Sequence, residues 1–510
     1  MYYKLMRMLS HIDTTDHGSH HTAAIIGGGP AGLTAARQLA TSDIGITPVV
    51  IEAEDCVGGL CRTIVHNGLR MDIGGHRFFS KSDIVNDWWK SVLDYDGNPE
   101  VQDNVMMLRP RVSHIYFKHR FIDYPVTASW HTLRDIGLLN AMRSACGYAW
   151  AKIHPRHPVN SLEDFYVNRF GRPLYRMFFE DYTTKVWGIH PSQMNADLGS
   201  QRVKGLSINA VIRNMLTRKS TNETHVETSL IDRFRYPKYG PGQLWDAAAQ
   251  QVRQLGGTIL TRHRVTAINI DSRRHVHSVT VINRDGCQQD ISCDYVLSSM
   301  PLCDLVPNLR GIDIPADILA YATALPYRDF VTVGLLVDSL TIHTRDGKPL
   351  PDTWIYIQDK GVHLGRMQIF NNWSPYLVPA QGIWLGLEYF CNQGDELWTM
   401  SDDESIYMAV NELQRIGIID THTVIRDSVR IRIPKAYPAY HGTYAQMPYI
   451  RNFLDSIGGL YCIGRNGQHR YNNMDHSMLT AIAAVNAIQG DTSPKNIWNV
   501  NTDDSYHEQR

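Results

Sequence analysis

The chain has 510 residues, 43% of them hydrophobic, and a formal charge of -1. That is long enough for two or three intertwined domains with sizeable cores and too nearly neutral to point to nucleic acid. No basic block or aromatic-interleaved basic patch occurs, so an acidic ligand has to be met by local arginines. Eight cysteines without CxxC spacing argue against a metal site and fit a reducing cytoplasm.

In chain order, residues 1–21 form a flexible tail without the apolar core of a signal peptide, and His17, His20 and His21 read as part of a solvated arm. Then comes Ala24-Ile25-Ile26-Gly27-Gly28-Gly29-Pro30-Ala31-Gly32, with Val49-Val50-Ile51-Glu52 after it. The apolar run predicts a buried parallel strand. Gly27 permits a tight turn, Gly29 lets backbone approach a pyrophosphate, and Gly32 lets the following helix pack closely on the sheet. Glu52, about 20 residues beyond the last glycine, suits ribose hydroxyls and repels a 2′-phosphate, which selects FAD or NAD over NADP.

A second glycine cluster, Gly58-Gly59-Leu60-Cys61-Arg62-Thr63, and then Met71-Asp72-Ile73-Gly74-Gly75-His76, follow the acid. Nicotinamide enzymes have no need of it. It resembles the flavoproteins that include amine oxidases, protoporphyrinogen oxidases and UDP-galactopyranose mutases, in which this loop runs along the FAD pyrophosphate. The resemblance implies FAD as cofactor, with Gly59 in the loop and Arg62 neutralising phosphate.

Further nucleotide-binding pieces recur far along the chain. Tyr236 to Trp245 leads into a helix through Ala247 and Val252, followed by strands around Thr258–Leu260, Val265–Ile270, Val279 to Val281 and Tyr295-Val296-Leu297; Gly459 to Arg465 is a strand ending in glycine before a helix near Asp475. The expected fold is α/β. A Rossmann-like FAD-binding domain is assembled from residues 22–90, 228–299 and 455–490, with a helical lobe at 125–227, an antiparallel-sheet substrate lobe at 91–124 and 300–454, and a C-terminal tail at 491–510. The most apolar later stretch, Ile318 to Val337, is interrupted by Pro326, Arg328 and Asp329, so no transmembrane segment is expected.

Arginines and tyrosines gather at glycine or proline breaks: Tyr182 to Gly188 with Arg202-Val203, Arg366 to Tyr376, Lys435 to Pro438, and Gly464 to Tyr471. An arginine fork with tyrosine hydroxyls suits a pyrophosphate. Each residue also has an ordinary packing reading, with Trp187 and Trp373 as core, Arg366 as a surface ion pair and Tyr437 as a packed aromatic.

Over residues 24 to 485 the chain resembles the UDP-galactopyranose mutases. It does so in Gly74-Gly75-His76, Lys185-Val186-Trp187-Gly188, Arg202-Val203, the Asn372-Trp373-Ser374-Pro375-Tyr376 block, Tyr437-Pro438, Gly464-Arg465, Tyr471 and Asp475-His476. Amine oxidases usually carry an acid where Arg465 stands. The resemblance implies that Arg465 and Tyr471 bind a substrate diphosphate, that Trp187, Arg202, Tyr327, Arg366 and Tyr437 line the pocket, and that His76 lies beside the isoalloxazine; His76 as closing a buried turn is the other reading. Gly464 and Asp475 fall on the flavin side, Asp475 either capping its helix towards the flavin O2 edge or simply capping it. One departure stands out. The family's second diphosphate-binding arginine, about ten residues beyond the counterpart of Tyr327, is matched by Val337, leaving Arg328 or Arg366 as substitutes or a different substrate.

The implied activity is pyranose/furanose interconversion of a UDP-hexose such as UDP-galactose in polysaccharide biosynthesis, through a reduced-flavin N5–sugar adduct without net redox change. It needs an external flavin reductant and has His76 and Arg465 at its centre. The alternatives are an FAD-dependent oxidase or desaturase of the amine oxidase or protoporphyrinogen oxidase type, and a non-catalytic flavin-stabilised binding protein.

Overall fold

The computed structural model describes residues 21–123, 137–196, 198–199, 233–344, 346–378 and 381–501. Its centre is a five-stranded parallel sheet in the order Leu460–Cys462, Tyr295–Ser298, His21–Ile26, Ile46–Ile51, Thr258–Leu260. The strands thus come from three distant parts of the chain, and all four pairings are parallel. Ala23 to Ile26, Val296 and Leu297 are buried, as strands covered on both faces require. Helices Pro30–Thr41, Pro241–Gln254 and Met474–Gln489 surround the sheet. Pro30 at the first helical position costs no hydrogen bond, since that amide has no intrahelical partner. A Cβ on Gly32 would lie 1.9 Å from the Gly27 carbonyl oxygen, so only glycine permits this strand–helix approach.

His21 belongs to the first strand and pairs with Asp294 at 3.2 Å, so it is not part of a solvated arm; His17 and His20 lie outside the described residues. The strands His263–Ile270, Val276–Asn283 and Gln288–Ser292 leave the nucleotide-binding sheet and form a separate antiparallel meander, joined by the short strand Leu309–Arg310. The middle strand of the meander is the most buried, with Ser278 to Val281 all inside, while Gln288–Ser292 at its edge is mostly exposed.

The second large layer is a seven-stranded sheet in the order Ile425–Pro438, Tyr327–Val337, Ile383–Cys391, Leu364–Ile369, Trp354–Ile357, Ser113–Phe117, Arg120–Asp123. It is antiparallel except where Trp354–Ile357 runs parallel to Ser113–Phe117, a correction to the expected all-antiparallel sheet. The described part of the helical stretch contains helices Leu138–Ile153, Leu162–Phe170 and Asp181–Trp187; Ser161 and Asp164 form a reciprocal capping box on the second. No helix among the described residues is long and apolar enough to cross a membrane.

Asp72 closes the hairpin strand Leu69–Asp72 and is fully buried, accepting a 2.6 Å hydrogen bond from the Tyr236 hydroxyl. Burial pushes its carboxyl up to about 8, against the opposing effect of hydrogen bonds from Tyr236 and Thr63. The folded state therefore holds a proton that the unfolded chain releases near pH 4, and wild-type stability declines relative to Asp72→Asn as pH rises from about 4 to about 8. Urea titrations of both proteins across that range check this; parallel pH profiles would contradict it.

Candidate active site

Three strand ends of the parallel sheet meet at one edge. Gly27 sits at φ +99° beside Ser299, and the Gly28 amide donates to Glu52 Oε2 at 2.7 Å. Glu52 Oε1 accepts from the Glu54 amide at 2.8 Å, which fixes the carboxylate while each oxygen keeps a second lone pair. The second glycine turn packs against the first: a Cβ on Gly29 would meet only Gly59 Cα at 3.7 Å and the Gly58 and Gly59 backbone at 3.9 Å. Gly58 and Gly59 both have positive φ, and Arg62 Nη1 donates to the Gly59 carbonyl at 3.1 Å. Two glycine turns facing each other, with a carboxylate behind and a guanidinium beside them, form a cradle that fits a dinucleotide pyrophosphate with its ribose.

On the third strand end, Gly464 adopts φ +75°, where a Cβ would come to 3.1 Å from that of Ala31. Arg465 follows directly. Its Nε donates to the Asn472 carbonyl at 2.8 Å and its Nη1 to the Ala436 carbonyl at 3.1 Å, so the guanidinium is held by backbone. It lies 4.9 Å from the ring centre of Tyr471 and 5.6 Å from that of Tyr437, and those rings stack at 5.6 Å and 11°. Trp187 closes the group edge-on, 6.3 Å from Tyr437 and 6.2 Å from Tyr471.

Arg366 completes the cluster from the seven-stranded sheet, donating to the Tyr437 hydroxyl at 2.7 Å with its guanidinium between Trp354 and Phe390. It is an ion pair in the interior rather than at the surface. Its partner is Glu388, directly opposite on the neighbouring strand, fully buried and also accepting from Gln368 at 2.9 Å. Burial pushes the Glu388 carboxyl up, while Arg366 and Gln368 pull it down; Arg366 stays charged. Burial raises the Tyr437 phenol as well, leaving a neutral donor. His76 is pushed down to about 3 by burial and by the positive charges of Arg465 and Arg366, so it is a neutral imidazole at any ordinary pH.

Five expected substrate residues, Trp187, Arg366, Tyr437, Arg465 and Tyr471, therefore converge. Tyr327 does not join them: its ring packs edge-on to His469 at 4.7 Å, towards Cys303 and the core behind the sheet. Arg328 is spent on the carbonyls of Val186 at 3.0 Å and Phe390 at 3.1 Å. Val337 is buried at the opposite end of the strand Tyr327–Val337, so of the two candidate substitutes Arg366 is the one in the cluster. Trp373 is core, donating to the Thr353 carbonyl at 2.8 Å. Arg202 lies outside the described residues. The cap of helix Met474–Gln489 is Asn473 rather than Asp475; Asp475 instead accepts from Ser80 at 3.1 Å and from the His476 amide at 2.8 Å. Glu388 escaped the motif reading, although a single acid within Trp384-Leu385-Gly386-Leu387-Glu388-Tyr389-Phe390 signals a buried partner.

The family model of flavin-containing amine oxidoreductases matches residues 30–489. The chain belongs to that family. Membership implies a flavin-dependent enzyme with FAD as cofactor, in keeping with the glycine cradle and Glu52. Among solved structures of this oxidoreductase fold, a reduced UDP-galactopyranose mutase superposes with a TM-score of 0.78 at 21% identity, covering 96% of this chain and 100% of that one. A putative protoporphyrinogen oxidase from Exiguobacterium sp. 255-15 gives 0.66 at 18% identity over 92% and 100%. A putrescine oxidase bound to putrescine gives 0.57 at 15% over 91% and 99%.

Two predictions follow from this geometry. Gly29→Val should keep the fold, because a Cβ there meets nothing closer than 3.7 Å, yet abolish FAD retention because the side chain stands between the two glycine turns. A yellow, stoichiometrically loaded variant would contradict the cradle assignment. Glu388→Gln leaves Arg366 without its buried counter-charge and should lower unfolding stability by about 3–5 kcal/mol, read by chemical denaturation.

Proposed function

We propose that this flavoenzyme is a nucleotide-sugar mutase that interconverts the pyranose and furanose forms of a UDP-hexose such as UDP-galactose, without net redox change. The observation carrying this reading is the charge of the cluster. Two guanidiniums, Arg465 and Arg366, stand with one carboxylate, Glu388, and two phenols, Tyr437 and Tyr471, beside an aromatic wall at Trp187. A net positive, donor-rich cluster suits an anionic diphosphate. A cationic amine would face two arginines and find the carboxylate already paired, which weighs against amine oxidation.

In this reading residues 22–90, 228–299 and 455–490 constitute the FAD-binding domain, with Gly27, Gly29, Gly32, Glu52, Gly59, Arg62 and Gly464 at the dinucleotide and Asp475 near its far end. Reduced FAD, when bound, supplies the nucleophile that such an isomerisation needs. Arg465 holds the departing diphosphate, its fork already fixed by two carbonyls, so little side-chain entropy is lost on binding. Tyr471 and Tyr437 donate to phosphate oxygens, and Arg366 orients the Tyr437 hydroxyl. His76, being neutral, adds no charge beside the reacting carbon and acts as a hydrogen-bonding group.

The test is chromatographic conversion of UDP-galactopyranose or its furanose isomer by dithionite-reduced and by air-oxidised holoenzyme. Conversion by the reduced sample alone supports the mutase. Absence of conversion at full FAD occupancy, together with oxygen consumption on putrescine or another amine, favours the oxidase. Arg465→Ala should retain FAD and weaken UDP binding by about 1.5–3 kcal/mol in calorimetry, the scale of a charge-assisted hydrogen bond.

A further inference from the structure

Helix Leu138–Ile153 reverses the usual order of a surface helix. Its inner face is made of small residues: Ser144 and Ala151 are buried, and a Cβ on Gly147 would come within 2.3 Å of Pro173 Cδ, so the helix lies close on the turn that begins at Arg172. Its large apolar side chains point the other way. Leu139 is 65% exposed, Met142 62%, Trp150 65% and Ile153 71%, with Cys146 exposed between them. Spacings of three and four residues put these five on one stripe about 21 Å long at 1.5 Å per residue. Four large apolar side chains left in water along a single line, with the compact residues turned inward, exceed the scattered exposure ordinary for a surface.

The charges beside the stripe are of one sign. From Leu138 to Leu162 the sequence has no Asp or Glu, and the exposed Arg143 and Lys152 flank the stripe, whereas Arg156, beyond the helix, is already paired with Glu163 at 3.2 Å and Asp164 at 2.9 Å. Lys152 is exposed, its ammonium 5.3 Å from the ring centre of Tyr148 one turn back on the helix. A narrow apolar stripe carrying a tryptophan, edged by cations, has the composition of a helix that lies in the plane of a bilayer interface.

We propose that helix Leu138–Ile153 docks the protein on an anionic lipid surface, with Leu139, Met142, Trp150 and Ile153 entering the acyl boundary and Arg143 and Lys152 meeting lipid phosphates. This assignment is independent of the chemistry at the Arg465 cluster. It requires no membrane span, and the surface potential of an anionic leaflet attracts basic residues within a Debye length.

The experiment is flotation of the FAD-loaded full chain with vesicles of phosphatidylcholine alone or mixed with phosphatidylglycerol, at low and high salt. The wild type is expected to float with the anionic vesicles and to be released by salt. The combined variant Leu139→Ser, Met142→Ser, Trp150→Ser, Ile153→Ser should bind at least about tenfold less, with FAD content and thermal melting retained because the replaced side chains are exposed. Arg143→Gln with Lys152→Gln should lose the preference for phosphatidylglycerol. The proposal is overturned if no vesicle binds, if the serine variant floats as well as wild type, or if sedimentation shows a dimer that the serine variant dissociates while lipid binding is absent.

Discussion

The candidate site depends on three strand ends being held at one level by backbone hydrogen bonds. The Gly27 amide donates to the Ile51 carbonyl at 2.9 Å, Ser299 to Ile26 at 3.0 Å, and Ile463 to Ser298 at 2.9 Å. The chain leaves the sheet at these points through Gly27, Ser299 and Gly464, where small side chains are obligatory: the virtual Cβ of Gly27 falls 2.2 Å from Ser299 Oγ, and that of Gly464 falls 3.1 Å from Ala31. The dinucleotide cradle and Arg465 are consequences of the same edge. A slip of one residue in the Leu460–Cys462 strand would turn its side chains to the other face and carry Arg465 away from the cluster.

A second constraint acts on the seven-stranded sheet. Arg366 and Glu388 face each other on adjacent strands of a sheet that packs a large apolar core. Neither charge is tolerable there alone, since an isolated ion in a low-dielectric interior costs several kcal/mol. Together they form a neutral unit whose remaining guanidinium hydrogens reach the Tyr437 hydroxyl. The net positive charge of the cluster is therefore carried by Arg465, which projects from the other sheet. One lobe supplies orientation and the other supplies charge, so bringing the two sheets together is what makes an anion site.

The parts legible in the sequence are those with a local backbone cause. The glycine turns, Pro30, Glu52 and the Gly464-Arg465 exit each follow from what a short segment of chain can do, and the strands around them lie where the apolar runs place them. Tyr327 was not legible for a reason of pattern: the strand it opens is buried on both faces, and a register shift between Arg328 and Phe330 breaks the alternation that would tell which way each side chain points. The parallel pairing of Trp354–Ile357 with Ser113–Phe117 joins segments far apart in sequence and leaves no local trace. Asn473 and Asp475 are both good capping residues, and the choice falls on Asn473 because its extended backbone marks the start of the helix, whereas Asp475 already lies inside the first turn and accepts from the amide next to it, that of His476.

The protonation states show how the cluster keeps its charge. A histidine beside two arginines could in principle add a third positive charge as pH falls, making anion affinity pH-dependent near neutrality. Burial and the arginines themselves hold His76 down to about 3, so in the protein alone the imidazole adds no charge to the cluster near neutral pH. Arginine does not titrate there either. Tyr437 is raised by burial and remains a donor. The positive charge is thus fixed by sequence rather than set by solution conditions, and any pH dependence of catalysis between about 5 and 8 has to arise from substrate, cofactor or groups outside Arg465, Arg366, Tyr437 and His76.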